Sequence, residues 1–331
     1  MILYFAIFIL VFIAATLFGS GELSILNNCL ISNESSQLEI CRTILFDIRL
    51  PRNIVASFSG ASLALAGCVS QGVFRNPLAS PSIIGTNSGG VFATILVFYF
   101  GLAWNDIFYI PAASILGSII STALVLWIFN WQRMQSVGSL LLLGFAINAF
   151  LTGLTSFTLS FLLSDYQKST SALRWILGSF SSTTWSQVTI VASTFLGGAI
   201  ISYALSYKLD VLALGENIAK NLAIDVTKLR NISILCLSIL VGGSISVAGG
   251  IPFIGLIVPH ITRILVGPNS KKLFILSAAN GATLTLLCDV VARNLTYPVE
   301  IEVGSITTLI GAPFFIWLLV TQNKENKGGL V

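Results

Sequence analysis

The chain has 331 residues, of which 55% are hydrophobic and only 9% are charged, and its mean hydropathy is +0.91. Soluble globular proteins carry roughly 25% charged residues, so this composition excludes a soluble enzyme, a nucleic-acid-binding domain and a disordered chain. The net charge of +4 adds little, because the position of positive charges matters more than their sum in a membrane protein. The composition indicates an integral membrane protein.

Long runs without a charged residue predict the membrane spans, since a spanning helix needs about 20 apolar residues. The run 231–262 is too long for one helix and contains Gly249, Gly250 and Pro252, so we expect two spans there. The runs are 1–21, 53–74, 76–105, 107–132, 134–164, 175–207, 231–262, 273–288 with its apolar neighbours, and 303–323. None alternates as β-barrel strands do. We predict an all-α domain over residues 1–331 with ten transmembrane helices.

The basic residues predict that both termini are cytoplasmic. Residues 1–21 lack the basic start and the A-x-A-like cleavage site of a signal peptide, so they are interpreted as the first span. An outer loop 20–48, an inner connection 207–230 and a cytoplasmic tail 321–331 follow from this topology. Lysine and arginine are then more frequent inside than outside, as the positive-inside rule requires. The outer basic residues are Arg42, Arg49, Arg52, Lys168, Arg174 and Arg293.

The five cysteines show no metal-site spacing. Cys68, Cys236 and Cys288 fall inside spans and are interpreted as small apolar packing residues. Cys29 and Cys41 both fall in the outer loop. In an oxidising compartment they could form a disulfide; the alternative is two free thiols.

Residues 71–90 contain Pro77, Pro81 and several glycines, which predict a broken helix after the second span. Non-helical backbone at membrane depth persists only where protein buries it or a water-filled cavity solvates it. We therefore expect this segment to line a pathway or its cytoplasmic mouth. A second interruption is expected at residues 249–263, which combine glycines and prolines with the only histidine, His260.

The inner connection places Leu214, Ile218, Leu222 and Val226 at four-residue intervals, which predicts one apolar face of a short amphipathic helix. Three interpretations stay open from the residues alone: an interfacial helix, a structured loop, or a docking helix for a cytoplasmic partner. The chain has no G-x-x-x-x-G-K-[ST] motif and thus no P-loop. Energy from ATP would have to come from another subunit.

Several motifs in order resemble the FecCD-type permeases, the membrane subunits of type II ATP-binding-cassette (ABC) importers for iron–siderophore complexes, haem and cobalamin. They are R-L-P-R, G-A-S-L-A-L-A-G-C-V-S-Q, R-N-P-L-A-S-P-S-I-I-G-T-N-S-G-G, F-I-G-L-I-V-P-H-I-T-R, D-V-V-A-R, E-I-E-V-G and G-A-P-F-F. The similarity runs from about residue 45 to 320. It implies ten helices per subunit and a homodimer or a pair of similar permeases. It also implies two cytoplasmic ATPases and a periplasmic or lipoprotein solute-binding protein. The resemblance further implies a location in the bacterial cytoplasmic (inner) membrane, with membrane lipid as a further partner.

The resemblance also implies roles for single residues. Arg49, Arg52 and Arg293 occupy positions at which the family receives acidic side chains of the binding protein; pairing within the chain, Arg293 with Asp289 or Arg49 with Asp47, is the alternative. The remaining implied positions are Gly215, Glu216, Ala219 and Leu222 for coupling to the ATPase, and Asn76 and Leu78 for the cytoplasmic gate. His260 is expected to be structural. No catalytic residue, metal, cofactor or nucleic acid is expected.

The substrate expected from the resemblance is an iron–siderophore complex, since most of the family carries one. Haem, cobalamin, and molybdate or tungstate are alternatives. A secondary transporter driven by protons or sodium is a distant alternative, because that class usually needs acidic residues at mid-membrane depth. Here Asp289 lies near a predicted helix end.

Overall fold

A computed structural model describes residues 2–17, 35–132, 134 and 136–328. These residues form helices and short connections, with no strand among them. The helices are α1 (Ile2–Leu17), α2 (Ser35–Arg42), α3 (Leu50–Phe74), α4 (Thr86–Tyr99), α5 (Tyr109–Trp131), α6 (Val137–Leu162), α7 (Tyr166–Leu177), α8 (Trp185–Ala213), α9 (Glu216–Asn221), α10 (Val226–Ala248), α11 (Ile254–Val266), α12 (Ser270–Asn294) and α13 (Val303–Gly328). The all-α fold predicted from the sequence is confirmed.

Six helical segments in the described part of the chain are long and apolar enough to cross a membrane. They are Leu38–Phe74, which joins α2 to α3, and helices α5, α6, α8, α10 and α12. Ile2–Leu17, Ile254–Val266 and Val303–Leu318 are shorter apolar helices. The chain is a multi-pass membrane protein, and the count of ten spans stays a prediction.

Helix α3 is the centre of the bundle and packs against α8, α10, α11 and α12. Glycines let these backbones approach closely, as is common between membrane helices. A Cβ at Gly60 of α3 would collide with the carbonyl oxygen of Gly281 in α12, and one at Gly67 would collide with Gly255 in α11. Because α3 packs against four other helices, the residues at its two ends are held in defined positions relative to those helices.

Helix α6 is the most exposed of the long helices, since only 11% of its most apolar stretch is buried. It contacts α4, α5 and the short 3-10 turn Pro81–Ile84. Several of its large apolar side chains are exposed, which leaves an apolar surface on one side of the helix. The exposed residues include Leu142, Phe145, Phe150, Phe157 and Phe161.

Both predicted interruptions are confirmed. Helix α3 ends at Phe74 and helix α4 begins only at Thr86, with the 3-10 turn between them. Helix α10 ends at Ala248, and α11 begins at Ile254 after a residue in the left-handed conformation, Phe253 with φ 68°. Because each break lies beside α3, both leave irregular backbone next to the central helix.

Part of the predicted outer loop 20–48 is helical. Residues 35–49 are helical and run through a π-helical turn, Thr43–Arg49, directly into α3. Cys41 is buried in this segment, whereas Cys29 lies outside the described residues, so their pairing stays a prediction. A further helix, α7, begins at Asp165, whose carboxylate accepts hydrogen bonds from the backbone N–H groups of Gln167 and Lys168.

The inner connection is shorter than predicted, because α8 continues to Ala213 and α10 already starts at Val226. The expected four-residue apolar face is therefore wrong as a single helix. Leu214 follows the last residue of α8, Ile218 lies in the six-residue helix α9, and Val226 is buried at the start of α10. The predicted tail is helical as far as Gly328.

Candidate functional site

Three arginines lie together at the predicted outer end of the bundle, and we call Arg49, Arg52 and Arg293 the outer arginine cluster. Arg49 ends the π-helical turn, Arg52 lies in the first turn of α3 and Arg293 in the last turn of α12. Only 7%, 7% and 2% of their surfaces, respectively, are exposed. Charges this deeply buried require compensation within the protein.

Arg52 is compensated by two carboxylates on opposite edges of its guanidinium group. Its Nη2 lies 2.8 Å from Oδ1 of Asp289, and its Nε donates to the same carboxylate at 3.1 Å. Its Nη1 donates to both carboxylate oxygens of Glu300 at 3.0 Å. The Asp289 side chain is fully buried, whereas 28% of the Glu300 side chain is exposed. Glu300 is therefore the partner that faces the outside.

Arg293 and Arg49 bind the end of α1 to the bundle. Arg293 Nε lies 3.5 Å from Oδ2 of Asp289, the pairing within the chain that was the alternative to docking. Its Nη2 donates to the carbonyl oxygen of Ala15 at 3.2 Å. Arg49 Nη1 donates to the carbonyl oxygens of Thr16 and Leu17 at 3.0 and 2.9 Å. Arg49 thus caps the last turn of α1, where carbonyl groups lack helical partners.

At the opposite end of α3, a tight turn contains the two predicted gate residues. Arg75 adopts the left-handed conformation, with φ 50°, and ends the helix. The Asn76 side-chain oxygen then accepts a hydrogen bond from the backbone N–H of Leu78 at 2.9 Å, an arrangement typical of Asn in turns. Asn76 is exposed and Leu78 half-buried. The turn therefore presents both side chains on the surface at this end of the bundle.

The predicted coupling residues lie on and beside the short helix α9. Gly215 precedes it with φ 131° and ψ 149°, a conformation that is essentially restricted to glycine. Ala219 is fully buried, and Leu222 is 56% exposed. Helix α9 is thus anchored on one side and presents apolar side chains to the predicted cytoplasm on the other.

Glu216 connects this helix to the gate turn. Its Oε1 lies 3.0 Å from Nη2 of Arg230 in α10 and 3.4 Å from Nη2 of Arg75, the residue just before Asn76. Arg230 is buried, and its guanidinium carbon lies 5.9 Å from the centroid of the Phe129 ring. One carboxylate therefore links three segments: α9, the start of α10 and the turn after α3.

Comparison with known proteins identifies the architecture. The family model of the FecCD transport family matches residues 7–321. This chain belongs to the FecCD transport family.

The FecCD relatives are similar over most of their length. The Fe(3+)-citrate import system permease protein YfmE of Bacillus subtilis is 35% identical over 96% of this chain and 94% of its own. The hemin transport system permease protein HmuU of Yersinia pestis is 33% identical over 86% and 85%. The molybdate import system permease protein MolB of Haemophilus influenzae is 36% identical over 87% and 83%.

A solved transporter structure shows the same fold. It is an ABC transporter assigned to the metal-chelate type, in an inward-facing conformation, and it superimposes with a TM-score of 0.84 at 33% identity over 96% of this chain and 99% of that one. This chain is accordingly an ABC importer permease, a transport subunit that is not itself catalytic.

In this FecCD chain the predicted site residues form two groups at opposite ends of α3. The three arginines predicted to dock the binding protein share one end, and the residues predicted for the gate and for coupling share the other. Sequence reasoning missed Glu300, Arg75 and Arg230 as members of these groups. Their signal was their charge, since few residues of this chain carry one. Arg75 and Arg230 lie near helix ends, and Glu300 lies in the connection between α12 and α13. His260 is half-buried, with its ring centroid 6.5 Å from that of Phe314.

Proposed function

We propose that this chain carries an iron–siderophore complex across the bacterial cytoplasmic membrane, as the permease of an importer with separate ATPase and solute-binding subunits. The observation that carries the proposal is similarity over nearly the full length to a permease named for Fe(3+)-citrate import. Relatives named for hemin and molybdate are about as similar. Haem, molybdate and cobalamin therefore remain alternative substrates to be tested.

The exposed apolar surface of α6 supports pairing with a second permease subunit. A row of exposed phenylalanines on a long helix that is only 11% buried is a surface suited to another helix or to a central pathway. In a homodimer the same surface would face its copy across the axis. Cargo would then cross between the two subunits and leave past Asn76 and Leu78.

The contacts of Glu216 support a coupling role for α9. A cytoplasmic ATPase that closes on ATP would push on the exposed face of α9, at Ile218 and Leu222. Because Glu216 holds both Arg230 and Arg75, movement of α9 would reach the gate turn without passing through the core. In this proposal, transport depends on the two ion pairs of Glu216, which lie entirely within the permease.

The outer arginine cluster suggests a specific form of docking, in which an acidic side chain of the binding protein displaces Glu300. Arg52 already holds a carboxylate at its Nη1, and that carboxylate is partly exposed. Another carboxylate could take the same bidentate position, for which the planar guanidinium is well suited. Arg49 and Arg293 are engaged with α1 and Asp289, so we assign the direct contact to Arg52.

Uptake in a deletion strain tests the substrate. Cells lacking this gene would receive radiolabelled iron bound to hydroxamate or citrate, and in parallel hemin, cobalamin and molybdate. We expect loss of iron–siderophore uptake, restored by the gene in trans. Loss of hemin, cobalamin or molybdate uptake alone would reject the siderophore and identify the substrate.

A further inference from the structure

An apolar groove of about 740 Å³ runs along the outside of the bundle between α1, α3, α8 and α12. Alanines line much of the groove and leave space that larger side chains would fill. Phenylalanines form its walls. The alanines are Ala61, Ala199, Ala278, Ala279 and Ala282, and the phenylalanines are Phe5, Phe8, Phe12, Phe58, Phe195 and Phe274.

The groove offers almost nothing to a polar ligand. The hydroxyl of Ser57 already donates to the carbonyl oxygen of Asn53 at 2.7 Å, and the remaining polar side chain in the lining is Tyr203 at one end. Helices α3, α8 and α12 are all long enough to span a membrane. The molecule that fits such a groove is therefore a hydrocarbon chain.

The Tyr203 end of the groove carries positive charge. The Nζ of Lys271 lies 5.7 Å from the centroid of the Tyr203 ring. Lys271, Phe274, Ile275 and Ala278 follow one another at helical spacing, so they share one face of α12. The lysine therefore stands directly at the mouth of the groove that its neighbours line.

The opposing charge at this mouth is already engaged. Asp210 of α8 accepts a hydrogen bond from the backbone N–H of Ser270 at 3.0 Å, which joins the end of α8 to the start of α12. Lys271 and Lys272 are both exposed beside it. Asp210 is thus occupied by a backbone group, and Lys271 is the exposed charge that faces the mouth at the end predicted to be cytoplasmic.

The length of the groove matches one leaflet. Ile54 and Leu65, which line it on α3, lie eleven residues apart, which is ~16 Å at about 1.5 Å per residue. The hydrocarbon core of a bilayer is about 30 Å thick, so the groove spans about half of it. The groove has a tyrosine and a lysine at one end and apolar side chains along the rest of its length. This arrangement matches a phospholipid, which has a polar headgroup and apolar acyl chains.

We propose that this groove is a binding site for one anionic phospholipid of the cytoplasmic leaflet. An acyl chain lies along the phenylalanines and alanines, and the phosphate is held at Lys271. Anionic headgroups of this leaflet attract basic residues at the membrane surface. The site is independent of the transport substrate, because no gate, coupling or docking residue lines the groove.

Native mass spectrometry of the detergent-purified full-length chain tests the site, with phosphatidylglycerol and phosphatidylcholine added at equal concentration. Wild type should retain phosphatidylglycerol preferentially. Lys271→Gln removes the charge but keeps much of the stem, and should lower that preference about fivefold. Lys272→Gln is the matched control, since it points about 100° away around the same helix, and should behave like wild type.

A second variant, Ala278→Trp, fills the groove at a partly exposed position and should reduce retention of both lipids. Equal loss of preference in Lys271→Gln and Lys272→Gln would overturn the site in favour of general surface charge. Unchanged lipid retention in Ala278→Trp would overturn the groove as the location. A wild-type dimer that Ala278→Trp dissociates would show that a second copy of the chain, rather than lipid, occupies it.

Discussion

The carboxylate of Glu216 lies 3.0 Å from the guanidinium group of Arg230, and the same oxygen is shared with Arg75 at 3.4 Å. Arg230 is buried, so removal of Glu216 would leave an uncompensated charge next to α9. The more exposed Arg75 would be freed from its contact, although exposed pairs contribute little to stability. The importance of the pair lies in what it connects, the short helix α9 and the gate turn.

The first prediction is that Glu216→Gln uncouples the importer. The amide keeps the shape of the side chain but not its charge, so both arginine contacts weaken. We expect the permease to assemble with its ATPase at normal yield while transport per ATP hydrolysed falls severalfold, measured in proteoliposomes. Lys220→Gln, an exposed change on the same short helix, is the control and should transport normally. Equal coupling in both variants would reject the link.

The second prediction concerns the backbone before α9. Gly215 has φ 131°, and a Cβ there meets no neighbouring atom within 4 Å, so Gly215→Ala imposes backbone strain alone. The cost is about 1–3 kcal/mol, and we expect reduced transport from a displaced α9. Gly197→Ala is the matched control, because its Cβ is equally free but lies within a regular helix. Similar transport by both variants would show that this conformation is unimportant.

The third prediction is that Glu300→Gln strengthens binding of the solute-binding protein. It weakens the internal carboxylate that occupies Nη1 of Arg52, leaving that group available to an acidic partner. Affinity, measured by surface plasmon resonance, should rise severalfold, and Arg52→Gln should lower it. Glu302→Gln serves as control. Weaker binding after Glu300→Gln would mean that Glu300 positions Arg52 rather than competing for it.

The fourth prediction separates structure from docking in the outer arginine cluster. Asp289 is fully buried between Arg52 and Arg293, so Asp289→Asn leaves two buried arginines undercompensated. A buried pair broken in this way costs about 3–5 kcal/mol, and the apparent melting temperature should fall clearly in a thermal-shift assay. Asp47→Asn, an exposed carboxylate nearby, should melt like wild type. Matching melting curves would contradict the compensating role of Asp289.

Much of the fold was accessible from the sequence because a membrane span needs a long apolar run. The breaks at Pro77 and Gly249 were equally accessible, since proline and glycine interrupt helices for local reasons. Periodicity failed at residues 214–226, where Ile218 and Val226 recur at helical spacing yet belong to different helices. The helix is interrupted at Gly215 by the backbone conformation of one residue, which the spacing of apolar side chains does not predict.

The site was predicted only in part, because its members are joined across the fold. Asp289 and Arg293 could be paired from their spacing within one helix. Arg52 lies 237 and 248 positions from its partners Asp289 and Glu300, and no local pattern connects residues that far apart. Burial of the arginines was likewise invisible, since it depends on how α1, α3 and α12 pack.

Reconstitution most directly tests the central claim that this permease imports a ferric siderophore with energy from ATP. The permease, its ATPase and its solute-binding protein are placed in proteoliposomes, and ATP hydrolysis and uptake of labelled ferric siderophore are measured together. The account predicts that loaded binding protein stimulates hydrolysis and that ATP drives uptake. Arg52→Gln should reduce both rates, whereas Glu216→Gln should reduce the uptake per ATP hydrolysed. Uptake that ignores ATP and binding protein but follows an imposed proton or sodium gradient would contradict it.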